Sequence, residues 1–144
     1  MTDDYKILRA GVHDLDGVLD VLSQLSHTEK THELRSIYAA IINDPKYVLL
    51  IVKHDKKIVG TAMLVSRYNL SHGGKRVGYL ENVVVDKEHR GNKLGEKLVE
   101  HLLEEAPKLN CYKVILDCSQ DNVFFYNKYG FELSDEANMR FDIK

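Results

Sequence analysis

The chain has 144 residues, 44% of them hydrophobic and 29% charged, with a formal net charge of -2. This is the size and balance of a single globular domain, residues 1–144, able to bury a core. The near-neutral charge excludes a broad electrostatic drive toward nucleic acid or membrane.

No apolar run approaches the ~20 residues needed to span a membrane, and the acidic N-terminus has no signal-peptide apolar core. The cysteines, Cys111 and Cys118, flank a predicted strand. An extended segment of that length spans roughly 23 Å, beyond disulfide reach. They are expected to be reduced and buried, in an intracellular, cytoplasmic setting. The histidines are scattered, so no metal site is expected.

Tyr5–Ala10 reads as a first strand ended by Gly11. Asp14 or Asp16 then caps a helix carrying Leu15, Val18, Leu19, Leu22 and Leu25 on one face. After a polar break at Ser26–Lys30, Thr31 caps a second helix with Leu34, Ile37, Tyr38, Ile41 and Ile42. Pro45 disfavours helical geometry at Asp44 and stops it. Tyr47–Lys53 and Ile58–Arg67 read as a hairpin, with Gly60 as its bulge candidate. Asn69–Arg76 is a polar, glycine-rich loop.

The run Tyr79–Glu105 reads as strand, charged turn and helix. Leu80, Val83, Val84 and Val85 predict a strand buried on both faces. From Leu94 the period changes. Leu94, Leu98, Val99, Leu102, Leu103 and Ala106 recur at helical steps, and Pro107 breaks the pattern. Arg90, Gly91, Asn92, Lys93 and Gly95 lie at the turn. A helix start exposes about four unpaired N–H groups and carries roughly half a positive charge. With two glycines and two cations, this turn suits a phosphate or pyrophosphate. The bland alternative is an ordinary strand-to-helix turn with a basic surface. Neither GxxxxGK[ST] nor GxGxxG is present.

Tyr112–Cys118 reads as another buried strand. Asp121 or Asn122 caps a short helix from Val123 to Tyr129, with Gly130 as its left-handed cap. Phe131–Leu133 and Met139–Ile143 read as two last strands around an acidic turn.

Arg90-Gly91-Asn92-Lys93-Leu94-Gly95 resembles the pyrophosphate loop of the GNAT N-acetyltransferases, Gln/Arg-x-x-Gly-x-Gly/Ala, with Lys93 replacing the middle glycine. A position inside the helix does not need positive φ, so Lys is expected to be tolerated there. The strand Leu80–Val85, the CYKVILDC stretch at Cys111–Cys118 and the NVFFYNKYGF stretch at Asn122–Phe131 resemble the branch of this family that acetylates glucosamine 6-phosphate. The resemblance implies an α/β (α+β) fold: a central mixed, mostly antiparallel sheet flanked by helices. It implies transfer of acetyl from acetyl-CoA to the 2-amine of the sugar phosphate, on the route to UDP-N-acetylglucosamine. It also implies a homodimer with shared active sites.

The resemblance assigns residues as follows. Val83, Val84 and Val85 pair with the pantetheine arm through their backbone, and an N–H near Val83 faces the charge developing on the thioester oxygen. Arg90, Gly91, Asn92, Lys93, Leu94 and Gly95 hold the pyrophosphate. Tyr126 faces the departing thiolate, whose free pKa is near 8.5. Asn122 either contacts the pantetheine arm or only caps its helix. Glu81 either positions or deprotonates the amine, or is a strand-end carboxylate paired with a base. The family commonly has Asp after this Glu; here Asn82 cannot act as a base. Asp117 lies near the reacting end. Ser26, Asn69, His72, Tyr112, Lys113 and Arg140 are candidates for the sugar phosphate.

Two other readings remain open. One is a family acetyltransferase for another small amine or a protein lysine. The cations His72, Lys75, Arg76, Lys113 and Arg140 favour an anionic acceptor. The other is a non-catalytic acyl-CoA-binding module, which needs neither Tyr126 nor Glu81.

Overall fold

The computed structural model describes residues 4–144. Five strands form one sheet in the order β1-β2-β3-β4-β5. They are Tyr5–Arg9, Tyr47–His54, Lys57–Arg67, Arg76–Val85 and Cys111–Ile115. The first four pair antiparallel and β5 pairs parallel with β4. Helices α1 (Leu15–Leu22), α2 (Leu34–Asn43), α3 (Leu94–Lys108) and α4 (Val123–Asn127) flank the sheet. No described helix is long and apolar enough to cross a membrane.

Strand β2 explains the layering. Val48, Leu50 and Val52 alternate onto one face, against Leu94, Leu98, Val99, Leu102 and Ala106 of α3. Leu49 and Ile51 point the other way, toward α1 and α2. A strand covered on both faces reads as a continuous apolar run. Its hairpin with β3 shifts register beside Gly60, as expected.

Several boundaries differ from the sequence reading. Asp14 occupies the cap position of α1 without a side-chain cap bond; its carboxylate instead accepts from the Gly11 N–H at 2.7 Å. Pro107 lies inside the last turn of α3, which runs on to Lys108. There a missing N–H removes only one intrahelical bond. The predicted buried strand at Tyr112–Cys118 is shorter and half-exposed, and it stands at the sheet edge. Cys118 is exposed and both thiols are free. The two last strands are not formed: residues beyond Phe131 make no strand.

Candidate active site

Strands β4 and β5 pair only from Arg76 to Tyr79 against Cys111 to Ile115. Beyond that point β5 ends while β4 continues to Val85, leaving the β5-side backbone of its second half without a strand partner. The split opens at the carboxyl ends of two parallel strands, where α/β sheets commonly bind ligands.

A bulge shapes the same stretch. Glu81 pairs with Met63 and Val84 with Thr61, so Asn82 and Val83 oppose the single residue Ala62. Asn82 takes φ +58°, a left-handed conformation that Asn tolerates better than most residues. The extra residue reverses the alternation. Leu80 packs on the α3 side, and so do Val83 and Val85, while Val84 turns to α1. The expectation of a strand buried on both faces is therefore corrected: Leu80 and Val84 are buried, but Val83 and Val85 are only half-buried beside the opening.

A groove along this edge has two adjoining parts, whose linings share Leu25, Val83, Asn122 and Tyr126. The first, of about 560 Å³, is lined by Val83, Val84, Val85, Arg90, Gly91, Lys93, Leu94, Gly95, Asn122, Phe125 and Tyr126, among others. Gly91 adopts φ +91° and Lys93 φ +60°. The latter overturns the expectation that Lys93 lies inside the helix; it is the left-handed cap residue that precedes α3. Arg90 folds back, its Nε donating to the Val85 carbonyl at 3.2 Å. Leu94 is 2% exposed and its side chain belongs to the core, so only its backbone can serve a ligand. Asn92 does not line the groove; its side chain is bonded to Tyr5 and the His89 carbonyl.

The second part, of about 480 Å³, is lined by Leu25, Tyr79, Leu80, Glu81, Asn82, Val83, Asp117, Cys118, Ser119, Asn122 and Tyr126, among others. Glu81 is exposed there and makes no ion pair among the described residues, against its reading as a paired strand-end carboxylate. Asn122 makes no side-chain cap bond to α4, which leaves its amide available to the groove. Tyr126 is half-buried between Phe125 and Phe131, with ring centroids at 4.9 and 5.8 Å. Burial, then the nearby Cys118, push its hydroxyl above the usual tyrosine pKa, so it stays protonated. Asp117 accepts from the Asn138 amide at 2.8 Å.

The sugar-phosphate candidates do not gather here. The His72 ring stacks on Tyr112 at 4.1 Å, and Lys113 pairs in register with Val77. Glu81 is four residues further along β4, about 13 Å at roughly 3.3 Å per residue. The Asn69 side-chain Oδ1 accepts from the Ser71 N–H and hydroxyl within its own loop. Arg140 is paired with Asp142 at 2.6 Å and 82% exposed. Ser26 lies exposed beside the groove residue Leu25. Among the described residues, no Lys, Arg or His lines the end of the groove that holds Glu81. Sequence reasoning missed Cys118, Ser119 and Leu25 as lining residues. The first two follow directly from where β5 stops, a boundary that the apolar pattern through Leu116 concealed.

A groove along an opened β4 edge, ending at a glycine-containing helix start, suits an extended ligand that carries an anionic group. Residues 16–131 match the Acetyltransferase (GNAT) family, and the chain belongs to that family. A glucosamine 6-phosphate N-acetyltransferase from Arabidopsis thaliana is 34% identical over 137 residues, covering 90% of this chain and 91% of that protein. One from Trypanosoma brucei brucei is 44% identical over 87 residues, covering 60% of this chain and 58% of that protein. The crystal structure of the glucosamine-6-phosphate N-acetyltransferase from Arabidopsis thaliana matches with a TM-score of 0.88 at 28% identity. That match covers 96% of this chain and 99% of that one.

Proposed function

We propose that this protein transfers the acetyl group of acetyl-CoA to the 2-amine of D-glucosamine 6-phosphate, releasing N-acetyl-D-glucosamine 6-phosphate and CoA. The observation that carries the reading is the pair of adjoining cavities that lead from the Arg90–Gly95 turn to Glu81 and share Val83, Asn122 and Tyr126. Relatives named for this activity match along most of the chain. The step serves UDP-N-acetylglucosamine formation. The free thiols are compatible with the cytoplasmic setting we assign to it.

The residues fit acetyl-CoA chemically. The start of α3 offers unpaired N–H groups, a favourable dipole and the cations Arg90 and Lys93 to a pyrophosphate. The β5-facing edge of the second half of β4, which has no strand partner, offers backbone donors and acceptors to an amide-bearing arm, as another strand would. The bulge at Asn82 re-aims the backbone of Val83, whose N–H is the donor we assign to the charge developing on the thioester oxygen. Glu81 receives or relays the amine proton, directly or through water. Asn82 cannot, so a two-acid arrangement is not assigned. Tyr126 presents its proton to the departing sulfur. Asp117 and Asn122 orient the groups between them.

An anionic sugar needs cations that the reacting end of one protomer does not supply. We assign them to a second copy, in a homodimer whose sites are shared. Two features support this. Tyr112, His72 and Lys113 form a cluster outside their own groove. Met139, Phe141 and Ile143 alternate with polar residues and are 92%, 87% and 88% exposed, the pattern of a half-buried strand lacking its partner. The outer edge of β5 is open to pair with such a strand.

The reading is tested by thiol release from acetyl-CoA with glucosamine 6-phosphate, glucosamine, spermidine and a lysine peptide at equal concentration. Fast release with the phosphorylated sugar alone is expected. Release with another amine would discard the substrate and keep the acyl-transfer chemistry. Binding of acetyl-CoA without release would favour a binding module.

A further inference from the structure

Tyr5 begins β1 and lies opposite His54, the last residue of β2. Its ring packs on the His54 ring at 4.7 Å and meets the His89 ring edge-on at 5.8 Å. Its hydroxyl is 3.0 Å from His89 Nδ1, and Asn92 Nδ2 donates to it at 3.2 Å. The same Asn92 nitrogen donates to the His89 carbonyl at 2.9 Å. Both amide protons are thus used. A phenol has one proton and accepts through its oxygen. Tyr5 therefore accepts from Asn92 and shares a second hydrogen bond with the His89 ring.

Asn92 stands between two left-handed residues, Gly91 at φ +91° and Lys93 at φ +60°. Those two line the groove and Asn92 does not. A left-handed lysine is unfavourable unless its surroundings hold it. The bonds from Asn92 run away from the groove and tie the turn to a strand at the far edge of the sheet.

We propose that Tyr5 is a positioning residue for the anion-binding turn: through His89 and Asn92 it holds the Gly91–Lys93 backbone in the conformation that meets the pyrophosphate of acetyl-CoA. It touches neither substrate. The inference rests on the assignment of that turn to the pyrophosphate, made above.

Tyr5→Phe keeps the ring packing and removes only the hydroxyl. Donor preference is measured as the ratio of kcat/KM for acetyl-CoA to that for S-acetyl-pantetheine, which lacks the pyrophosphate. A hydrogen bond of ordinary net strength corresponds to about a two- to twelvefold change. The variant is expected to raise KM for acetyl-CoA by about that factor. Its kcat, its KM for glucosamine 6-phosphate and its use of S-acetyl-pantetheine are expected to stay within about twofold of the unmodified protein. If the unmodified protein shows no preference between donors, the pyrophosphate assignment fails. If it prefers acetyl-CoA and Tyr5→Phe keeps the whole preference, or loses equally with both donors, the positioning role is overturned. Should Tyr5→Phe not fold, His89→Phe removes the ring nitrogen that shares the Tyr5 hydroxyl and is read by the same donor ratio.

Discussion

Phe131 donates its N–H to the Tyr126 carbonyl at 3.3 Å, and Gly130 donates to Asn127 at 3.1 Å. These paired bonds close α4 behind the tyrosine that lines the groove, with Gly130 at φ +92°, as in a Schellman cap. A Cβ at Gly130 would meet nothing within 4 Å, so the backbone conformation, not crowding, requires glycine. Gly130→Ala is expected to cost about 1–2 kcal/mol. Urea unfolding, with a lower midpoint at unchanged slope, checks it.

Tyr126→Phe retains the contacts with Phe125 and Phe131 and removes the proton offered to sulfur. We expect kcat to fall on the order of 10²-fold, with the Kd for acetyl-CoA within about twofold. Because burial and then Cys118 raise the tyrosine above its usual 10.0, its ionisation should not lower wild-type kcat below about that pH. Single-turnover rates across pH test both statements; an unchanged rate with chemistry limiting would remove Tyr126 from the reaction.

Lys93→Gly separates charge from backbone. Glycine adopts φ +60° without strain, so stability is expected to hold or rise by up to about 1 kcal/mol. Loss of the cation is expected to raise KM for acetyl-CoA several-fold, less so at high salt. Thermal unfolding and donor kinetics at two ionic strengths are the measurements.

Tyr38 donates to the Gly11 carbonyl and is held at a pKa of about 12 by burial first and the Asp14 charge second. The folded state therefore keeps its proton where the unfolded chain, near 10.0, loses it. This contribution is complete below pH 10 and disappears as pH rises through 12. Tyr38→Phe should flatten the loss of stability between those values, measured by denaturant unfolding at pH 9 to 12. An unchanged slope would refute the assignment.

Shared sites predict complementation. Glu81→Gln and Lys113→Ala chains should each be weak alone. Unfolded and refolded together, they should regain activity, since a mixed dimer holds one site with both residues intact. Lys113→Ala alone should raise KM for glucosamine 6-phosphate more than for glucosamine. No recovery on mixing would place each site within one chain.

Much of the site was legible because its signals are local. The change from an apolar strand to helical spacing at Leu94, the cations and glycines at the turn, and Gly130 after α4 each act over a few residues. Family resemblance then carried Glu81, Asn122 and Tyr126 to the groove that they line. Local pattern misled where tertiary pairing decides. Apolarity through Leu116 suggested a longer β5, but a strand lasts only as long as it has a partner, and β4 diverges after Tyr79. Met139–Ile143 has the alternation of a strand and no strand partner among the described residues.

The sequence by itself determined the element order from β1 to α4 and the basic, glycine-containing turn before α3, because periodicity, capping and charge are properties of short segments; the candidate site residues came from family resemblance. Only the tertiary structure decided that a bulge at Asn82 turns Val83 and Val85 to the groove, that Lys93 is left-handed, that Tyr5 reaches the turn, and that Lys113 lies far from Glu81. Each of these depends on which strand lies beside which, and in what register. Hydrogen-bond pairing across the sheet sets that relation between segments distant in the chain.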